Sequence, residues 1–185
     1  DLEAAAIRTA PIIKTYDIAG RKVRVHLYGA YVANTFPLAL AHREIADAGD
    51  ADLVIHAWDS SGAVAPLPAP WDQSDFKTFR QEKERWVKDG AFFGVYIGGE
   101  ETLNFYDAKT KTGYFWTQDA RMLPHSVLGA PFRTVLHWFL SESDIHLMHG
   151  AVIGENGSAV LITAKSGSGK STILKLLMRF WDVQT

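Results

Sequence analysis

The stretch Ala164-Lys165-Ser166-Gly167-Ser168-Gly169-Lys170-Ser171-Thr172 constrains this chain more than any other. It follows the apolar run Ala159-Val160-Leu161-Ile162, which reads as a buried strand. It precedes Ile173-Leu174-Lys175-Leu176-Leu177-Met178, whose periodicity reads as a helix. A strand, a glycine-rich turn, Gly-Lys-Ser and a helix make the phosphate-binding P-loop arrangement. The residue types fit that chemistry. Gly167 and Gly169 lack a Cβ, so the backbone can take positive φ and curl around an anion. Inward-pointing N–H groups then form a nest, and the following helix adds its unpaired N–H groups and positive dipole end. Ser166, Ser168 and Thr172 complete the cradle. Lys170 reaches the β- and γ-phosphates as a point charge, and the Ser171 hydroxyl is placed as a ligand of Mg²⁺. The first glycine of the usual pattern is Ala164 here, which fits if its φ is negative. The plain alternative is a Gly/Ser-rich turn with an exposed lysine; the flanking strand and helix favour the P-loop.

The rest of the chain supplies bounds. Its 185 residues suit one or two domains, with 47% hydrophobic and 22% charged residues. A net charge of −2 gives no argument for nucleic acid or a membrane surface as partner. There is no cysteine, which excludes disulfides and thiolate metal sites and fits a reducing, cytoplasmic setting. No apolar run approaches the ~20 residues of a transmembrane helix. The start, Asp1-Leu2-Glu3-Ala4, lacks the basic residues of a signal peptide and lacks an initiator methionine, so the chain reads as trimmed.

Residues 1–15 show no periodicity and read as partly loose. Arg21-Lys22-Val23-Arg24-Val25-His26-Leu27 alternates basic with apolar and predicts a half-buried strand with a solvated basic face. Asn34-Thr35-Phe36-Pro37 reads as a helix start with Pro37 in the first turn, the helix running to about Ala48. Residues 52–58 read as a strand. Residues 59–72 carry Pro66, Pro68 and Pro70 and form the clearest loop; residues 73–88 predict a short amphipathic helix. Three aromatic runs, residues 91–97, 102–106 and 114–117, are separated by Gly and Asp turns and predict an antiparallel meander. Their rings fit sheet-face packing better than a platform for bases. Phe132 to Leu140 has helical periodicity. Residues 145–153 read as a strand, Gly154-Glu155-Asn156-Gly157 as a tight turn, and residues 158–163 as the strand feeding the loop. The expectation is an α/β chain. Residues 1–125 form a mixed, largely antiparallel sheet region, and residues 126–185 begin a P-loop strand-loop-helix core. His26, His42 and His56 show no metal-ligand spacing.

Met148-His149-Gly150-Ala151-Val152, a Gly turn, Ala159-Val160-Leu161-Ile162-Thr163 and Ser166-Gly167-Ser168-Gly169-Lys170-Ser171 resemble the nucleotide-binding core of HPr kinase/phosphorylase. Residues 38–42, 52–59, 114–116 and 130–138 look similar to HPr-kinase-like serine kinases, of which some accompany lasso-peptide clusters. The resemblance implies ATP and Mg²⁺ as cofactors, a serine of a peptide or protein as acceptor, and a paired-aspartate segment further along that supplies the base. After the P-loop the sequence has only Asp182, so the expectation is nucleotide binding without a competent kinase from this chain alone. An oligomer is compatible with this reading. By the same resemblance His149 lies near the active site and orients phosphate or substrate; the alternative is a histidine packed on a strand. His146 is its expected neighbour on that strand. Residues 171–184 are also similar to the helix after the P-loop in ABC exporter ATPases, which leaves a P-loop hydrolase open. A non-catalytic nucleotide-binding or interaction module is the third reading.

Overall fold

The computed structural model describes residues 10–47, 49–60, 84–148, 150–163 and Thr172. The chain divides into two compact units, Asp1–Ile145 and His146–Thr185.

The first unit is built on a seven-stranded mixed sheet. Its strands are β1 (Ile12–Ile18), β2 (Arg21–Leu27), β3 (Leu53–Asp59), β4 (Glu84–Asp89), β5 (Phe92–Ile97), β6 (Thr102–Asp107) and β7 (Thr112–Thr117), in the spatial order β1-β2-β3-β7-β6-β5-β4. β1 pairs antiparallel with β2, while β2–β3 and β3–β7 are parallel; β7-β6-β5-β4 is the expected antiparallel meander, extended by one strand. Among the described residues, the helices are α1 (Ala30–Leu40), which carries the β2-to-β3 crossover, the short α2 (His125–Leu128) and α3 (Arg133–Ser141).

Alternation along the strands separates two faces. On one face Val23, Val25, Leu27, Leu53, Ile55, Ala57, Tyr106 and Phe115 meet Val32, Ala33 and Phe36 of α1, Val127 of α2, and Val135, Leu136, Phe139 and Leu140 of α3. Phe36, Phe115 and Phe132 pack edge-to-face there, with centroids 5.4 to 5.9 Å apart. The opposite face carries a smaller cluster of Tyr28, Trp58, Tyr96, Leu103 and Trp116, with Phe105 and Tyr114 against it. The meander aromatics are therefore packing residues, as their sequence pattern suggests.

Three elements differ from the sequence reading, each for a local reason. β1 covers residues read as loose. It is an edge strand whose Ile12 and Ile13 stay exposed, so its apolar residues do not alternate cleanly, and Ala19-Gly20, both at positive φ, turn it into β2. α1 starts at Ala30 rather than Asn34, because Gly29 at φ 91° turns the chain straight out of β2. Pro37 consequently sits inside the helix, and a 3₁₀ turn at Ala41–Arg43 follows well before Gly49. Glu84-Arg85-Trp86-Val87-Lys88 is strand, not helix. Asp89-Gly90, with Gly90 at φ 55°, folds it back on β5, and both faces of this edge strand are exposed, which removes any period-two signal. The other residues of the helix expected over 73–88, and the loop from Ser61 onward, lie outside the described residues.

Two glycines set how closely neighbours approach the sheet. A Cβ on Gly113 of β7 would stand 2.4 Å from Val135 Cγ1 of α3, and a Cβ on Gly94 of β5 would stand 2.6 Å from the Phe105 ring. Gly113→Ala is expected to lower stability by about 1–3 kcal/mol through overpacking, whereas Gly99→Ala, with open space around it, stays within about 0.5 kcal/mol. Thermal or urea unfolding of the two variants side by side checks this; equal midpoints would mean that α3 does not press on β7.

In the second unit β8 (Gly150–Glu155) and β9 (Ser158–Thr163) form an antiparallel hairpin. Asn156 at φ 51° and Gly157 at φ 79° make its two-residue turn, the geometry an Asn-Gly pair favours. The strand expected from residue 145 begins at Gly150, and residues 145–148 have irregular backbone. Val152, Val160 and Leu161 are exposed on this hairpin.

Candidate functional site

The hairpin fixes how the chain reaches the glycine-rich loop. Its register pairs Gly150 with Thr163, Ala151 with Ile162 and Glu155 with Ser158. Gly150 and Thr163 are thus partners at the open end. The chain enters Gly150 from His149 and leaves Thr163 into Ala164. A Cβ at position 150 would lie 2.9 Å from Leu161 Cδ1 and 3.0 Å from the Ile162 carbonyl oxygen, so a side chain there would push its neighbours aside. β9 is the strand expected ahead of the loop, but it is exposed rather than buried, with Val160 and Leu161 on the surface of a two-stranded hairpin.

Of the eight predicted site residues, only Thr172 lies among the described residues, with helical backbone and an exposed side chain. His149, Ser166, Gly167, Ser168, Gly169, Lys170 and Ser171 lie outside them. His146 is exposed and precedes β8, so it does not share a strand with the residues that follow Gly150. Among the described residues no group of three or more His, Asp or Glu side chains is disposed to hold a metal ion.

In the first unit two polar constellations stand out, and neither has a sequence motif. The first surrounds Asp59, the last residue of β3. Its side chain is buried and accepts the Ala120 N–H at 3.3 Å. Its Oδ1 lies 3.6 Å from where a Cβ on Gly29 would stand, at the start of α1. A carboxylate there faces the positive end of the α1 dipole and ties the ends of β2, β3 and β7 together. Asp59 acts as a structural anchor between three chain segments.

The second is a stack on the opposite sheet face. His56 of β3 lies between Tyr28 and Tyr114, nearly parallel to both, with centroids 6.0 and 5.5 Å away. The Tyr28 hydroxyl is 3.0 Å from His56 Nδ1, and the His26 ring meets His56 edge-on at 4.8 Å. Burial, and secondarily the neighbouring His26, pull the His56 pKa from its ordinary 6.5 down to about 4. His26 is lowered as well, by burial first and then by Arg24, against an opposing effect of Asp47. Arg24 donates to Asp47 Oδ1 at 2.7 Å, so this member of the basic strip of β2 is ion-paired. Two imidazoles whose pKa values are lowered by burial, one stacked and one edge-on, suit packing.

A histidine whose folded pKa lies below its unfolded value takes up its proton more readily once the chain unfolds. Its stabilising contribution is complete above pH 6.5 and is lost as pH falls towards about 4. Unfolding midpoints measured from pH 7 to pH 4 are expected to fall steeply through that window. His56→Phe, which keeps the stack and cannot titrate, is expected to flatten the slope; parallel slopes would sink the assignment to His56.

No protein-family model, curated protein or solved structure matches this chain.

Proposed function

We propose that this chain binds ATP with Mg²⁺ through residues 166–172 and is of the HPr-kinase-like serine kinase type, with a peptide or protein as acceptor, although the paired aspartates of that type have no counterpart in residues 173–185. One observation supports the binding half above all others. Strand β9 ends at Thr163, immediately before the glycine-rich stretch, and the backbone is helical at Thr172, immediately after Gly-Lys-Ser. Strand before and helix after are the context in which that sequence cradles phosphate. In this reading the loop N–H groups hold the phosphates, Lys170 neutralises the β- and γ-oxygens, and the Ser171 hydroxyl contacts Mg²⁺. Mg²⁺ supplies charge neutralisation on the transferring phosphoryl group when bound.

The hairpin register adds support for His149. It directly precedes Gly150, whose partner Thr163 directly precedes the loop, so both chain segments leave the same end of one hairpin. A histidine at that end is positioned in sequence to orient a phosphate or an acceptor hydroxyl.

Calorimetric titration of the full chain with ATP and Mg²⁺ tests the binding half. Lys170→Ala is expected to weaken it by at least about tenfold, the loss of one charge-assisted contact. Unchanged affinity in Lys170→Ala, or no heat with the unaltered chain, would remove the nucleotide reading. Labelled ATP with a serine-containing peptide then separates the chemistry. Phosphoserine supports the kinase, and a rate lowered in His149→Ala at unchanged ATP affinity supports the role of that histidine. Free phosphate alone would move the reading to a P-loop hydrolase, and binding without turnover to a nucleotide-binding module.

A further inference from the structure

The seven-stranded sheet ends in two edge strands, and the fold treats them differently. At β1 the edge is closed. The Ile45 N–H donates to the Thr15 carbonyl at 2.9 Å, Tyr16 forms a bridge with Glu44, and the side chains of Lys14 and Thr15 reach Glu44 and Asp47. At β4 every residue from Glu84 to Asp89 is exposed, and among the described residues its backbone is bonded to β5 alone.

Alternation decides which backbone groups of β4 are free. The Ala91 carbonyl accepts from Ala108, which follows β6, so Phe92, the next residue, bonds on its other side to Asp89. Asp89, Val87 and Arg85 are therefore the residues bonded to β5. Glu84, Trp86 and Lys88 point their N–H and C=O groups out of the sheet edge. An unpaired row of this kind is a template for another strand.

The side chains specify which strand. Trp86 is 61% exposed and Val87 48%, one on each face of the edge; an edge guarded by charge alone would carry neither. Trp86 meets Trp138 of α3, with ring centroids 6.2 Å apart, and its Nε1 donates to Glu84 at 3.2 Å. Lys88 lies on the same face, its Nζ 5.1 Å from the centre of the Phe93 ring. Neither Glu84 nor Lys88 enters an ion pair among the described residues.

Glu84, Trp86 and Lys88 thus run negative, aromatic, positive along the open edge, a pattern that complements its own reverse. Turned antiparallel about a two-fold axis at Trp86, the strand sets each Glu84 opposite Lys88 of a second copy, and Trp86 opposite Trp86. These are the positions whose backbone groups face outward, so each opposed pair exchanges N–H···O=C bonds. A shift of one residue would oppose free backbone groups with bonded ones. Centring on Val87 would set Glu84 against Gly90 and leave its charge unmatched.

We propose that two copies of this chain pair edge to edge through β4, antiparallel and in the register centred on Trp86, so that one sheet runs through both. The inference rests on the first unit alone and is independent of the nucleotide reading.

Sedimentation velocity of the full chain, from about 5 to about 500 μM, is expected to show a reversible monomer–dimer equilibrium, weak because one strand carries the interface. Glu84→Lys and Lys88→Glu each turn both charged pairs into like charges and are expected to weaken the dimer by at least about tenfold. Mixed in equal amounts, the two variants are expected to form a heterodimer within about threefold of the original affinity, because every charged pair is then a lysine against a glutamate. Amide exchange of the unaltered chain reads the register. The amides of Glu84, Trp86 and Lys88 are expected to gain protection with concentration, while those of Arg85 and Val87 are protected throughout. A monomer at every concentration overturns the proposal. So does a dimer indifferent to the charge reversals, a loss that mixing does not repair, or protection that does not follow the alternate residues.

Discussion

Val135 of α3 rests against Gly113 of β7, and the larger unit is arranged around that contact. β7 is hydrogen-bonded in parallel to β3 on one side and antiparallel to β6 on the other. It joins the crossover half of the sheet to the meander half. A strand in that position has no free edge, so both of its faces must be covered. Phe115 points into the helix layer, and Trp116, its neighbour, points the other way; both are fully buried. With no side chain at position 113, α3 comes down close enough for Phe139 to meet Tyr106, at a centroid distance of 6.4 Å. Past the end of that helix the Tyr106 hydroxyl donates to Glu142 at 2.7 Å, and Lys111 pairs with the same carboxylate. Burial, then the Glu142 contact, raise the Tyr106 pKa, so its proton stays in place as the donor.

The same closeness leaves a small recess between the start of α3 and β6, lined by Thr102, Asn104, Arg133 and Thr134. α3 is held down over β6 at its Tyr106 end, while its first turn lies over Thr102 and Asn104, which are too small or too polar to fill the space as Tyr106 does. Polar residues under a helix start cost stability unless something pairs them. Thr102 and Thr117 face each other in register without a bond. A packing-only design would place valine at both positions. Asp59 shows the contrasting solution at the ends of the parallel strands. It too is buried and polar, but it accepts the Ala120 N–H, and it reads as structure.

How much of this the sequence reveals depends on whether the signal is local. The three-strand meander is legible, because Gly98-Gly99 and the polar turn from Asp107 to Gly113 punctuate it and its aromatic residues alternate between two covered faces. The hairpin before the loop is legible from Asn156-Gly157, where the turn chemistry demands two positive φ angles. β1 and β4 are not, because edge strands are wet on more than one side and lose the alternation that marks a strand. The start of α1 is masked by Pro37, whose preference for a first turn is overridden when Val32, Ala33 and Phe36 bury one face of a helix that begins earlier. The His56 stack and the Thr102 recess carry no motif at all. Their residues come from strands that are distant in sequence and become neighbours only through register.

That difference separates the glycine-rich stretch from the recess. The glycine-rich stretch is a one-dimensional signal: loop, lysine and hydroxyl are consecutive, so the sequence alone specifies what they can do, and the β8–β9 register adds only the direction of approach. The recess is the reverse case. Glu100, Thr102 and Asn104 sit on or beside β6, and Arg133 and Thr134 open α3, some thirty residues later in the chain. What singles them out is an unpaired hydroxyl, an uncapped helix end and two opposite charges without partners in one small space. Those are deficits of pairing, and they become visible only once every neighbour has been placed.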